Sequence, residues 1–162
     1  MTYGFIGTGN MGGALARALV KTVSPTDIFL NNRTMARAEA LAAELGAHCA
    51  DAETIASSCG CIFLGVKPHL LPGVLAQLRP ILTAREDKPL LVSMAAALTI
   101  PDLRERGCGD WPLIRIMPNT PSAIGEGVIF YTCDGVTAEE EAAFLENMAG
   151  AGRLLPLDDH LM

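Results

Sequence analysis

Six residues near the start constrain this chain more than any others. Gly7-Thr8-Gly9-Asn10-Met11-Gly12 is a GxGxxG that directly follows a short apolar run at residues 3–6. Met11, Ala14, Leu15, Ala18 and Leu19 come next, at the spacing of one helical face. Alone the motif is weak, because 16 of the 162 residues are glycine. Between a strand and an amphipathic helix it describes a βα turn able to cradle a diphosphate. Gly7 would allow the tight bend, Gly9 would let a pyrophosphate approach the backbone, and Gly12 would let helix and sheet pack closely. The free N–H groups and positive end of the helix would then meet the phosphates. A tight turn without a ligand would use the same glycines.

Strand-like and helix-like stretches alternate along the rest of the chain. Short apolar runs at 27–31, 47–49, 61–66, 90–94, 113–117, 127–133 and 154–157 read as strands. The runs at 61–66 and 90–94 are apolar on both faces, as central parallel strands are. Between them, Ala38, Leu41, Ala42 and Leu45 mark a helix ended by Gly46, residues 53–58 a short one, and Leu70, Leu71, Val74, Leu75 and Leu78 one that begins at Pro68. Thr99 reads as an N-cap with Pro101 in the first turn. Thr137 with Glu140 forms a capping box before a helix to about Met148. The expected fold is α/β: a Rossmann-type doubly wound, mostly parallel sheet with helices on both faces, spanning 1–157.

Composition narrows the function. Half the residues are hydrophobic and 19% are charged, which argues against disorder. Twelve basic against 18 acidic residues give a net charge of −6. That argues against a sequence-blind grip on nucleic acid or anionic membrane, though not against a local basic spot for one phosphate. No apolar run reaches the ~18 residues of a membrane span. The opening residues lack a basic n-region, so a cytoplasmic address is expected. The five cysteines are odd in number, and Cys59-Gly60-Cys61 is CxC rather than CxxC, so plain thiols are expected. His48, His69 and His160 have no metal-ligand spacing, and no metal is expected. No Ser-His-Asp arrangement or catalytic carboxylate pair is visible, so nothing points to covalent or hydrolytic chemistry.

Four more segments fall where strands end. The second strand closes on Asn31-Asn32-Arg33-Thr34. An NAD site usually places Asp or Glu here for the ribose 2′-OH. Asn32, Arg33 and Thr34 instead suit a 2′-phosphate, which favours NADP with NAD possible. Alternatively Arg33 is a solvated charge and Thr34 caps the next helix. Val66-Lys67-Pro68 closes the fourth strand, where Lys67 is either a ribose or phosphate contact or a surface lysine. Ser93-Met94-Ala95-Ala96-Ala97 closes the fifth with side chains small enough for a flat ring to lie against. Met117-Pro118-Asn119-Thr120-Pro121 is a proline-stiffened loop displaying Asn119 and Thr120.

Taken in order, Gly4-Phe5-Ile6-Gly7-Thr8-Gly9-Asn10-Met11, Val66-Lys67-Pro68, Ser93-Met94-Ala95-Ala96 and Met117-Pro118-Asn119-Thr120-Pro121 closely resemble the N-terminal domain of pyrroline-5-carboxylate reductases. The resemblance covers essentially the whole chain. It implies NAD(P)H-dependent reduction of 1-pyrroline-5-carboxylate to L-proline. It also implies that Ile6, Gly7, Thr8, Gly9, Asn10 and Met11 hold the pyrophosphate, and Asn32, Arg33 and Thr34 the adenosine ribose and its phosphate. Val66, Lys67 and Pro68 would line the middle of the cofactor. Met94, Ala95 and Ala96 would lie beside the nicotinamide, with Asn119 near the reacting centre.

The chain departs from the family at Ala97, where glycine is frequent, and at Asp51, where asparagine is. An acid at Asp51 facing the adenosine would weaken 2′-phosphate binding. The family continues into an all-helical domain that forms the dimer and most of the substrate pocket; residues 158–162 are expected to start the connection to it, and the full-length form to be a homo-oligomer. The competing expectations are a stand-alone dinucleotide-binding module without catalysis, and a reductase of another imine or hydroxyacid.

Overall fold

The computed structural model describes all 162 residues as eight strands and six helices. In chain order these are β1 Tyr3–Ile6, α1 Gly9–Leu19, β2 Ile28–Asn31, α2 Met35–Leu45, β3 His48–Cys49, α3 Ala52–Ser58, β4 Cys61–Leu64, α4 Leu71–Ala84, β5 Leu90–Ser93, α5 Ile100–Leu103, β6 Leu113–Met117, β7 Gly127–Asp134, α6 Ala138–Met148 and β8 Gly152–Pro156. The strands form one sheet in the order β3-β2-β1-β4-β5-β6-β7-β8. The first six are parallel; β7 runs antiparallel to β6, and β8 pairs parallel to β7.

Residues of the central strands alternate between two cores, which is why these strands read as unbroken apolar runs. In β4, Cys61 and Phe63 join the core under α1, α2 and α6, while Ile62 and Leu64 join the core under α3, α4 and α5. Phe5 and Phe63, paired across β1 and β4, stack with ring centroids 4.4 Å apart. Stacked rings add about 1 kcal/mol beyond their burial.

The order reverses between β1 and β4. From β1 the chain moves towards β2 and β3, from β4 towards β5 and β6. The loops leaving these neighbours part over opposite faces, opening a crevice at the carboxyl edge of the sheet. The loops after β1, β2, β4, β5 and β6, which carry every segment singled out above, meet that edge.

Local differences from the sequence reading have physical causes. The run at 61–66 ends as a strand at Leu64, because Gly65 is drawn beneath the turn after β1. The helix expected from Pro68 opens with a 3-10 turn, Pro68–Leu70, before α4. The last strand is Gly152–Pro156, not 154–157. Residues 158–162 fold back in a 3-10 turn, Asp159–Leu161, and bond to Arg115 and to the start of α5.

Candidate cofactor-binding site

The turn after β1 is fixed from below. The Asn31 carbonyl accepts the Gly7 N–H at 3.1 Å and the buried Thr8 hydroxyl at 2.8 Å. Gly7 has φ +78°, and a Cβ there would lie 2.8 Å from Val66, so that side is closed. Gly9 has φ +54°, and a Cβ there would meet nothing within 4 Å. Gly12 approaches the Gly7 carbonyl, 3.3 Å from its would-be Cβ, so it fits the helix against the turn rather than against a strand. No side chain caps α1, and its first turn has no acid. Unclaimed amides, the positive helix end and an open surface above Gly9 are what a diphosphate requires.

From Gly9 and Asn10 an open cleft of about 360 Å³ runs past Gly13 to Arg17 and Arg37, with Asn32 and Thr120 also in its lining. Arg17 is paired with Glu44, its Nε 3.0 Å from Oε2. Arg37 has no ion-pair partner, which leaves its guanidinium free for an anion. Arg33 and Thr34, the residues singled out in the sequence, are exposed and do not line this cleft. The Thr34 hydroxyl does not cap α2. Asn31 turns away, its Nδ2 donating to the Ala50 carbonyl at 3.2 Å. Asp51 caps α3: Oδ1 accepts the Thr54 N–H at 2.7 Å, and bonding to the Thr54 hydroxyl and N–H holds its carboxyl below the usual aspartate range.

On the other side of the turn, Val66 packs against Gly7 while Lys67 is exposed and unpaired. The buried Ser93 hydroxyl accepts the Ala95 N–H at 3.3 Å, holding the loop after β5 close to the strand end. Ala96 is exposed, and Ala97 has φ +64°, the one non-glycine residue with positive φ. A left-handed backbone strains any residue that carries a Cβ and suits glycine. The turn Thr120–Ile124 packs on α1 and brings its loop to the crevice. Within it, Asn119 Oδ1 accepts the Val128 N–H at 3.0 Å, leaving Nδ2 as a free donor.

Sequence reasoning missed Gly65, Gly13, Arg17 and Arg37. Arg37 lies in the first turn of α2, whereas Arg33 precedes the N-cap Thr34, so no local spacing links the two. A second cleft, of about 460 Å³, is lined by Tyr131, Cys133, Glu141 and Leu157. It lies on β7, which runs antiparallel to β6, and beside the end of β8, and shares no residue with the first cleft. There the Tyr131 hydroxyl donates to Glu141, and burial together with that carboxylate pushes the phenol up to about 12.

Residues 2–97, more than half of the chain, match the family described as NADP oxidoreductase, coenzyme F420-dependent. The chain belongs to this family. The matched region runs from β1 through the loop after β5, and so contains the glycine turn, the cleft apart from Thr120, and the alanine loop. Among curated relatives, a pyrroline-5-carboxylate reductase of Pisum sativum is 31% identical over 161 residues, covering 98% of this chain and 58% of the relative. A pyrroline-5-carboxylate reductase structure from Coxiella burnetii superposes with a TM-score of 0.86 at 26% identity, over 97% of this chain and 58% of that one. A Plasmodium falciparum pyrroline carboxylate reductase solved with NADP bound has the same fold, with a TM-score of 0.81 at 24% identity, over 98% and 58%. The chain spans a little over half the length of these relatives. The chain contains no helix long and apolar enough to cross a membrane.

Proposed function

We propose that this chain is the cofactor-binding half of a pyrroline-5-carboxylate reductase and that it prefers NADPH. The observation that carries the reading is the contrast within the first turn. The Cβ positions of Gly7 and Gly65 are closed by neighbouring backbone, whereas that of Gly9 is open above an uncapped helix end. A diphosphate fits there and a side chain would fill its place. The names of the relatives supply the substrate class.

In this reading Gly7 to Met11 hold the pyrophosphate, and Arg37 and Asn32, with Arg33 and Thr34 at the mouth, take the 2′-phosphate. Val66, Lys67 and Pro68 border the middle of the cofactor. Met94, Ala95 and Ala96 seat the nicotinamide, and Asn119, whose Nδ2 has no partner, lies near the reacting centre. When bound, the reduced nicotinamide supplies a hydride to the carbon of a protonated cyclic C=N, whose nitrogen becomes the amine of proline. An iminium ion is already electrophilic, so the protein's contribution is chiefly to orient two rings and exclude water. We place the chain in the cytoplasm, where its five unpaired cysteines would stay reduced.

The test is calorimetry with NADPH and NADH, followed by NADPH oxidation with 1-pyrroline-5-carboxylate, with and without a separately expressed helical half. Tighter binding of NADPH and turnover on reconstitution are expected. Binding without turnover in either case indicates a binding module; no heat with either nucleotide refutes the dinucleotide reading.

A further inference from the structure

The loop after β5 is held at both ends, and one of its anchors lies far away in the sequence. Its entry is tied by the Ser93 hydroxyl to the Ala95 N–H. Its exit is the N-terminus of α5, where Thr99 and Asp102 form a reciprocal capping box. That box leaves the Ile100 N–H to another acceptor, and the acceptor is Asp159 Oδ2 at 3.0 Å, from the turn beyond β8.

Asp159 is in turn held by Arg115. Arg115 sits within β6 beside Ser93 in register, and both side chains are buried. Its Nη1 donates to Asp159 Oδ1 at 2.8 Å and to the Asp159 carbonyl at 2.9 Å, and its Nη2 donates to the Met162 carbonyl at 3.4 Å. The Arg115 side chain is 3% exposed and that of Asp159 26%. An arginine in the middle of a strand must find such partners, because an unpaired buried charge is strongly unfavourable. One guanidinium therefore fixes a carboxylate whose other oxygen fixes the exit of the loop. Between the two anchors lies Ala97, in a left-handed conformation that persists only where its surroundings enforce it.

We propose that Arg115 and Asp159 are positioning residues for the nicotinamide seat: through Ile100 they hold the loop of Met94, Ala95 and Ala96 in the shape that receives the ring. The inference rests on the dinucleotide reading above. It adds that residues beyond β8, 62 positions after Ala97, belong to the site although neither side chain reaches the crevice.

The adenosine and nicotinamide halves of the ligand separate this role from a general structural one. The probes are NADPH and adenosine 2′,5′-bisphosphate, the half of NADPH without nicotinamide. Binding of both is measured by calorimetry, and the nicotinamide fluorescence gain on binding is recorded. The variants are Asp159→Asn, which keeps an acceptor for Ile100 but loses the ion pair, and Arg115→Met, which fills the space and leaves a carboxylate able to hydrate. Both variants are expected to bind adenosine 2′,5′-bisphosphate within about twofold of wild type, to bind NADPH about tenfold more weakly, and to lose most of the fluorescence gain. Unchanged NADPH affinity and fluorescence overturn the proposal. So does an equal loss of both ligands in both variants, which marks the pair as a fold-wide tie. If wild-type protein binds neither probe, the dinucleotide reading itself falls, and this proposal with it.

Discussion

A Cβ built at Gly65 would stand 1.9 Å from the carbonyl oxygen of Gly7. The turn after β1 and the end of β4 thus touch backbone to backbone across the point where the strand order reverses. A side chain at 65 must separate them, whereas one at Gly9 displaces nothing. Gly65→Ala is expected to destabilise the protein by about 2 kcal/mol or more and to abolish nucleotide binding. Gly9→Ala is expected to lower stability by only about 1 kcal/mol, the strain of a positive φ, yet to weaken NADPH by at least about tenfold, because the methyl occupies the diphosphate's place. Thermal melts and calorimetry on the two variants check this; equal effects on stability would contradict it.

Ala97 offers the opposite test. Alanine to glycine ordinarily destabilises by about 0.5–1 kcal/mol through the entropy of the unfolded chain. At φ +64° the substitution also removes a left-handed strain of about 1–2 kcal/mol. Ala97→Gly is therefore expected to raise stability by a few tenths to about 1 kcal/mol, read as a higher denaturant midpoint with an unchanged slope. A lower midpoint would mean that the loop is not strained.

What the sequence made legible is what periodicity and turn chemistry encode locally. The glycine turn, the capping residues Thr99 and Thr137, and the left-handed stop at Gly46 all stand where local patterns put them. Gly65 was hidden within an apolar run because its role is set by a backbone on another strand. Arg37 belongs to no local motif, because the cleft it lines is enclosed by α1 and α2, which are separate in the sequence. The Asp159–Ile100 contact joins residues 59 positions apart, a pairing that no local pattern announces.

The position of Arg37 gives a prediction about cofactor choice. Its guanidinium is unpaired, whereas that of Arg17 is already engaged by Glu44. Arg37→Ala is expected to weaken NADPH by about tenfold while leaving NADH within about twofold. Arg33→Ala, outside the cleft lining, should change the ratio less. Parallel titrations with the two nucleotides decide it; if Arg37→Ala weakens both equally, the 2′-phosphate is not read there.

Thiol accessibility is equally specific. Cys49 is exposed, Cys133 is half-buried, and Cys59, Cys61 and Cys108 are buried. Burial pushes the Cys108 thiol up to about 11, and burial beside Glu141 does the same to Cys133. At pH 8 a thiol of that kind is only about one thousandth thiolate, and the thiolate is the nucleophile. An aromatic disulfide reagent is expected to show one fast equivalent in the native protein and five after denaturation, with Cys49→Ser removing the fast phase.

Acid should weaken the α5 anchor in a defined direction. Bonding to the Thr99 backbone and hydroxyl holds the Asp102 carboxyl below its ordinary range, with Arg106 and Arg115 assisting. A carboxyl depressed by folding stabilises the native state above its unfolded pKa, near 3.9, and that contribution fades as pH falls through the lower folded value. Asp102→Asn cannot ionise, so the stability gap between wild type and variant is expected to be full at neutral pH and to shrink only below about pH 4. Denaturant midpoints between pH 7 and pH 3 measure it. A gap that stays constant into acid would place the stabilisation in the geometry of the cap rather than in its charge.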